Sequence, residues 1–358
     1  MLALMRDKSV VAYQPRWLQV AALWVLLLIS LTGYSTAEEL ITEYPLLSPH
    51  AYPASITVSS DGYVWFLEFK ANMLARFDPE TTELEEFAIP SAKSDSVDLV
   101  VDRNGMLWFS EMDSNVLGRF DPKTKQFKEY LLPTLKTNPY SILAASDGTI
   151  WLLGWSSDLL IRFNVNSESF KEYIIPTRNG NSYNLAEDKQ GRIWFVQRAA
   201  NNIAMFDPER EKFREWKIST QPQSPLGTVI DSKGKIWYVK MLDNELVQFD
   251  PQTEKSKKFQ MPKSKGTQDM AIDSKNNIWF VQHTDNRIVR FHMSTSIFQI
   301  FDIPTGKTKP NSLCIDQKGR VWFTEAAATQ IGMLDTTRTG DIKNTLQVDF
   351  TPPKELFK

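Results

Sequence analysis

Trp65, Trp108, Trp151, Trp194, Trp237, Trp279 and Trp322 recur at intervals of 43 residues, with a single interval of 42. A chain that repeats a tryptophan in this register is assembled from copies of one supersecondary unit. Twelve residues after each Trp stand Phe77, Phe120, Phe163, Phe206, Phe249, Phe291 and Leu334. Twenty-two residues after the first six stand Phe87, Tyr130, Tyr173, Trp216, Phe259 and Phe301. These series are read as filling between neighbouring units.

Each unit carries four short strand patterns. The first is apolar and ends in a turn, Asp61-Gly62, Asn104-Gly105, Asp147-Gly148, Gln190-Gly191, Lys233-Gly234 or Lys318-Gly319. Glycine supplies the positive φ that a tight hairpin needs. The second strand holds the Trp. The third ends in Asp-Pro turns at Asp78-Pro79, Asp121-Pro122, Asp207-Pro208 and Asp250-Pro251. The fourth is closed by Pro90, Pro133, Pro176, Pro262 or Pro304, a residue suited to an outer edge. Four antiparallel strands per unit, seven times over, predict an all-β, seven-bladed propeller. The residue 43 before Phe87 is Tyr44, in "ITEYPLL". This segment is expected to supply the outer strand of blade seven and close the ring. "LQVDFTPP" near the C-terminus is a weaker outer-strand pattern, expected to pack outside that blade.

The 41 Lys and Arg nearly balance the 43 Asp and Glu of this 358-residue chain, and no long basic run stands out. Nucleic-acid binding therefore has no electrostatic footprint here, and no nucleic-acid partner is expected. Arg6, Lys8 and Arg16 precede the apolar run 18–31, and small residues at Ser35 and Ala37 precede Glu38. This is the pattern of a signal peptide over 1–37, cleaved after Ala37, with the propeller over 38–358. The run is shorter than the ~20 residues of a membrane span. Export to the periplasm or the exterior is expected, with no stable membrane span after cleavage. Cys314 is the single cysteine, so no internal disulfide forms; it is read as a core residue.

The run D-x-x-G-x-[IL]-W-F-x-E-x-x-x-N-x-[IL]-G-R-F, with units ending in EYxxP, resembles the virginiamycin B lyase (streptogramin lyase) family over about residues 38–335, most closely in "VWFTEAAATQIGML". The resemblance implies a seven-bladed propeller that opens cyclic streptogramins by a Mg-dependent elimination. It also places a catalytic His in a Pro-His-Gly step, where this chain has Asn311. The family's acidic residue two positions earlier corresponds to Lys309, and a second His to Gln268. Asn and Gln cannot act as general bases near neutral pH.

Loops entering the inner strands and loops joining second to third strands share one face around the channel. Two rings of residues lie there. Eleven before each Trp stand Ala54, Val97, Tyr140, Tyr183, Leu226, Gln268 and Asn311; three after stand Glu68, Glu111, Gly154, Gln197, Lys240, Gln282 and Glu325. Residues that vary among blades at a channel mouth are free to be functional. Tyr140, Tyr183, Gln268, Asn311 and Lys309 are therefore candidate ligand-binding residues. Glu68, Glu111 and Glu325 fall on neighbouring blades and could share Mg or Ca, or each could bond within its own blade. Asn72, Asn115, Asn201, Asn244 and Asn286, seven after each Trp, are read as turn residues. Of the three histidines, His50 lies near the predicted face, His283 in a face loop, and His292 on the opposite surface. His283 is the internal candidate for a catalytic base.

Two functions fit. One is a monomeric exported propeller that binds a small molecule or protein at the channel mouth. The other is a divergent metal-dependent lyase or hydrolase opening a cyclic or lactone-type substrate.

Overall fold

The computed structural model describes residues 40–264 and 266–337, and the backbone of 345–346. Seven antiparallel sheets follow one another along the chain, each ordered inner to outer. Blades one to six span 53–88, 96–131, 139–174, 182–217, 225–260 and 267–302. Blade seven combines strands Pro310–Ile315, Val321–Glu325 and Gln330–Leu334 with Ile41–Pro45. The predicted signal segment 1–37 lies outside the described residues. Among the described residues no helix is long and apolar enough to cross a membrane.

Ring closure is as expected from the 43-residue register. Ile41–Pro45 pairs with Gln330–Leu334, and Tyr44 lies opposite Ile331. The ring of Tyr44 stacks on Trp322 at 5.9 Å and meets Phe77 of blade one at 4.7 Å. Closure therefore reproduces the contact made between other blades. Trp65, Trp108, Trp151, Trp237 and Trp322 each face the Phe of the next blade at 5.7 Å. The C-terminal expectation needs correction. Thr345–Leu346 pairs with the outer strand of blade six, at Phe298 and Gln299, rather than with blade seven; the remainder of that pattern lies outside the described residues.

The hairpin motif does more than turn the chain. Asp102 Oδ1 accepts the N–H groups of Asn104 and Met106 at 2.8 and 3.0 Å, while Oδ2 accepts Trp108 Nε1 at 2.9 Å. Asp188, Asp231, Asp273 and Asp316 hold Trp194, Trp237, Trp279 and Trp322 in the same way at 2.8–3.0 Å. One carboxylate thus shapes the turn and satisfies a buried indole. In blade six Asn276, at φ 60°, takes the place of the turn glycine.

Asn72, Asn115, Asn201, Asn244 and Asn286 all have positive φ, as a turn requires. They also pin the loop ahead. Asn72 Nδ2 donates to the carbonyls of Ile89 and Ser91, and its Oδ1 accepts from Ser94. Cys314 is half-buried beside the cluster between blades seven and one. His292 is also half-buried, near Gln299, and not on the open surface.

Removing residues 38–48 should strip blade seven of its outer strand and open the ring. Tyr44→Ala alone should cost about 3 kcal/mol, the loss typical of a truncated core aromatic. Urea unfolding measures both; unchanged midpoints would refute closure through this strand.

Candidate binding site at the channel mouth

Every inner strand except the regular pairing at its ends carries a register shift about twelve to nine residues before the Trp, for example between Ser96 and Asp98 or Pro310 and Leu313. A bulge re-aims side chains and frees backbone groups. The residues ten before each Trp are Ser55, Asp98, Ser141, Asn184, Gly227, Asp269 and Ser312. They form a polar girdle that sequence reading missed, although its spacing was available. Ser55 Oγ accepts Leu99 N–H at 3.2 Å, Asp98 accepts Ile142 N–H at 3.0 Å, and Asp269 accepts Leu313 N–H at 3.1 Å. Each bond runs to the next blade, so the girdle laces the inner strands together.

Within the girdle lies a cavity of about 50 Å³. Tyr140, Tyr183 and Asn311 line it together, with Asp98, Asn184 and Asp269. Loss of hydration, with Asp269 adding to it, pushes the Asp98 carboxyl up to about 7; Asp269 is raised for the same first reason. Burial also raises both tyrosine hydroxyls.

The residues four after each Trp stand just past the end of the second strand: Phe69, Met112, Trp155, Arg198, Met241, His283 and Ala326. Trp155, Arg198 and His283 of this series make contacts at the mouth. The variation of the series among blades is the signal that would have found it. Trp155 lies 5.0 Å from Tyr140 and 6.3 Å from Tyr183, and the two tyrosine rings are 5.3 Å apart. Arg198 sits over Trp155 at 5.9 Å. The aromatic wall expected from Tyr140 and Tyr183 is thus a three-ring corner capped by a guanidinium.

Across the mouth, Asn311 Nδ2 donates to the Ala54 carbonyl at 2.8 Å. Lys309 is exposed at the rim with φ 54°. Gln268 is half-buried on the blade-six bulge and does not line the cavity. His283 Nδ1 donates to the Pro310 carbonyl at 3.2 Å, which brings it beside the Lys309–Asn311 step. Burial lowers its pKa and Lys309 adds to that, so the ring is neutral with Nε2 as an acceptor. His50 is exposed and makes no contact with these groups.

A sequence profile described as the virginiamycin B lyase family matches residues 22–205 and 126–349. The chain belongs to the virginiamycin B lyase family. Among solved structures it is similar to virginiamycin B lyase from Staphylococcus aureus, at 23% identity over 82% of this chain and 98% of that one, TM-score 0.76. A streptogramin B lyase structure matches at 25% identity over 82% and 96%, TM-score 0.76. The extracellular domain of a one-component system from B. thetaiotaomicron matches at 18% identity over 83% and 42%, TM-score 0.65. No curated protein matches the chain.

The three glutamates of this family member do not converge on a metal. Glu68, Glu111 and Glu325 are 1%, 0% and 0% exposed. Each stands within hydrogen-bonding reach of a second carboxyl in its own blade, Glu86, Glu129 and Glu43 respectively. Neither oxygen of any of the three meets a conventional donor. Burial first, and the neighbouring carboxylate second, raise all three from 4.5 to about 8. A carboxyl that stays protonated donates to its partner, which is how such a pair is tolerated. The partners in turn cap the preceding loop: Glu86 takes Ser48, Glu129 takes Ser91 and Glu43 takes Thr305. Small residues make room. A Cβ at Gly118 would lie 2.8 Å from Glu111 Oε1, and one at Gly332 2.9 Å from Glu325 Oε1. In blade five Lys240 fills the same position; burial opposes its charge, but bonds to Asp243 and Glu245 outweigh this. Among the described residues no group of three or more His, Cys, Asp or Glu could hold a metal.

The pairs have a pH signature. A carboxyl whose pKa rises from 4.5 to about 8 on folding holds a proton that the unfolded chain releases. Stability is therefore fully present below pH 4.5 and is lost as pH rises through 8, at up to about 1.4 kcal/mol per pH unit for each such group. Glu68→Gln, Glu111→Gln, Glu325→Gln keeps three donors and removes three titrations. Its melting temperature should fall less than wild type between pH 5 and pH 8; parallel curves would refute the protonated pairs.

Proposed function

We propose that this chain is an exported recognition propeller that binds the aromatic group of a ligand at the channel mouth without carrying out the family's elimination. The observation that carries this reading is the corner formed by Tyr140 and Tyr183 on two inner strands and Trp155 just past a second strand, positions that vary among blades, across the cavity from Asn311. A concave aromatic wall with a few convergent polar groups is what a ligand site needs. Asn311 and Gln268 stand where the resemblance places histidines, and amides offer no base. Export is supported by the N-terminal pattern and by the extracellular domain among the structural neighbours.

One observation favours the lyase reading instead. His283 is held by the Pro310 carbonyl through Nδ1, next in sequence to Asn311, and burial favours its neutral form, which leaves Nε2 as an acceptor. It would serve as the base of a divergent lyase.

Two titrations separate these readings. A neutral aromatic probe, 2-naphthamide, should bind saturably by calorimetry, and Trp155→Ala should abolish that binding. A streptogramin B antibiotic incubated with the protein and Mg²⁺ should stay cyclic by mass spectrometry. Ring opening that His283→Ala removes would establish the lyase. Absence of binding by naphthamide and by its anionic and cationic analogues would overturn the aromatic site. Mass spectrometry of the mature protein should also find Glu38 as the first residue; an intact Met1 on a membrane-bound protein would overturn cleaved export.

A further inference from the structure

The strongest unassigned group at the mouth is Arg198. Its guanidinium is held over Trp155 at 5.9 Å and lies within electrostatic reach of the Tyr140 hydroxyl. Among the described residues it has no carboxylate partner, only two long contacts of 3.4 Å from Nε and Nη2 to Ser224 Oγ. Four other half-exposed arginines are committed to carboxylates: Arg76 to Glu85, Arg162 to Asp147, Arg192 to Asp188 and Arg320 to Asp316. Arg119 and Arg290 also lie over an indole without a carboxylate partner, but each over the buried Trp of its own blade, Trp108 and Trp279. At the mouth Arg198 combines an aromatic floor with a planar fork that meets no carboxylate. That fork matches a carboxylate through two parallel hydrogen bonds.

We propose that the ligand is an aromatic carboxylate, its ring packed in the corner of Tyr140, Trp155 and Tyr183 and its carboxylate held by Arg198. This rests on the reading of the mouth as an aromatic recognition site. The geometry also sets the ligand's direction. Asp98 and Asp269 lie deeper, in the girdle, and would repel an anion that entered the channel. Lys309 is exposed at the rim and adds positive charge there. The carboxylate therefore stays at the rim. A cationic ligand would have the opposite preference, with its charge directed down the channel toward the two aspartates.

Three probes of one shape decide the matter: 2-naphthoate, neutral 2-naphthamide and cationic 2-naphthylmethylammonium, titrated by calorimetry at pH 7.5. Naphthoate should bind about tenfold more tightly than naphthamide, the worth of a charge-assisted hydrogen-bonded pair. Arg198→Gln should erase that preference, so that the acid binds no more tightly than the amide. Arg198→Lys, which keeps the charge and loses the fork, should fall between. Equal binding of the acid and the amide, or tighter binding of the ammonium, would overturn the carboxylate assignment while the aromatic site stands. Failure of all three probes would overturn the aromatic site itself. Should Arg198→Gln not fold, the wild-type ratio of acid to amide decides by itself.

Discussion

The fold depends on a tryptophan that must be buried while its indole N–H is satisfied. In five blades an aspartate six residues earlier meets that need, and the same carboxylate closes the hairpin that leads to the Trp. A buried donor without a partner costs more than the bond itself contributes. The motif thus couples a local turn to the packing between blades. Blade one substitutes Ser59 for the aspartate, with Trp65 donating to its hydroxyl at 3.2 Å. The indole then lies against aromatic residues of its own outer strand and of the next blade. Because each blade contributes one such layer, the ring is a cycle of equivalent interfaces, and the N-terminal strand makes the last one equal to the others.

A cycle of this kind separates what must recur from what can vary. The Trp recurs in every blade, and the turn glycine and the αL Asn in most, because the blades meet the same packing and hydrogen-bonding demand. Among the residues eleven before and four after each Trp, those at the mouth differ from blade to blade. There the chain places Tyr140, Tyr183 and Trp155 together, and opposite them Asn311 and His283. The polar girdle is intermediate: Ser55, Asp98, Ser141 and Asp269 each accept an N–H of the next blade, so residue type varies while that role is kept.

The carboxyl pairs show how a partial repeat can mislead. Glu at three of seven copies left two readings open, a shared ligand set and bonding within each blade. The physical reason for its recurrence lies inside each blade: a protonated glutamate donates to a second glutamate that caps a loop. Its companion small residues, Ala75, Gly118 and Gly332, are in the sequence and mark the space the carboxyl occupies.

The sequence by itself determined the architecture. Blade number, strand order, turn positions and closure through Tyr44 follow from a register that only one packing arrangement satisfies. It also set out Tyr140, Tyr183 and Asn311 as residues of one mouth. What only the tertiary structure decided is which neighbour each side chain meets. Alternation along a strand turns Glu68 inward and Phe69 outward, and a one-residue difference exchanges core for surface. Trp155 and Arg198 join the site because the loop after the second strand leans onto the following blade, a relation between segments about 40 residues apart that no local pattern encodes. The same holds for His283 and Pro310, and for the strand Thr345–Leu346, which pairs with blade six because backbone pairing, not side-chain period, selects its edge.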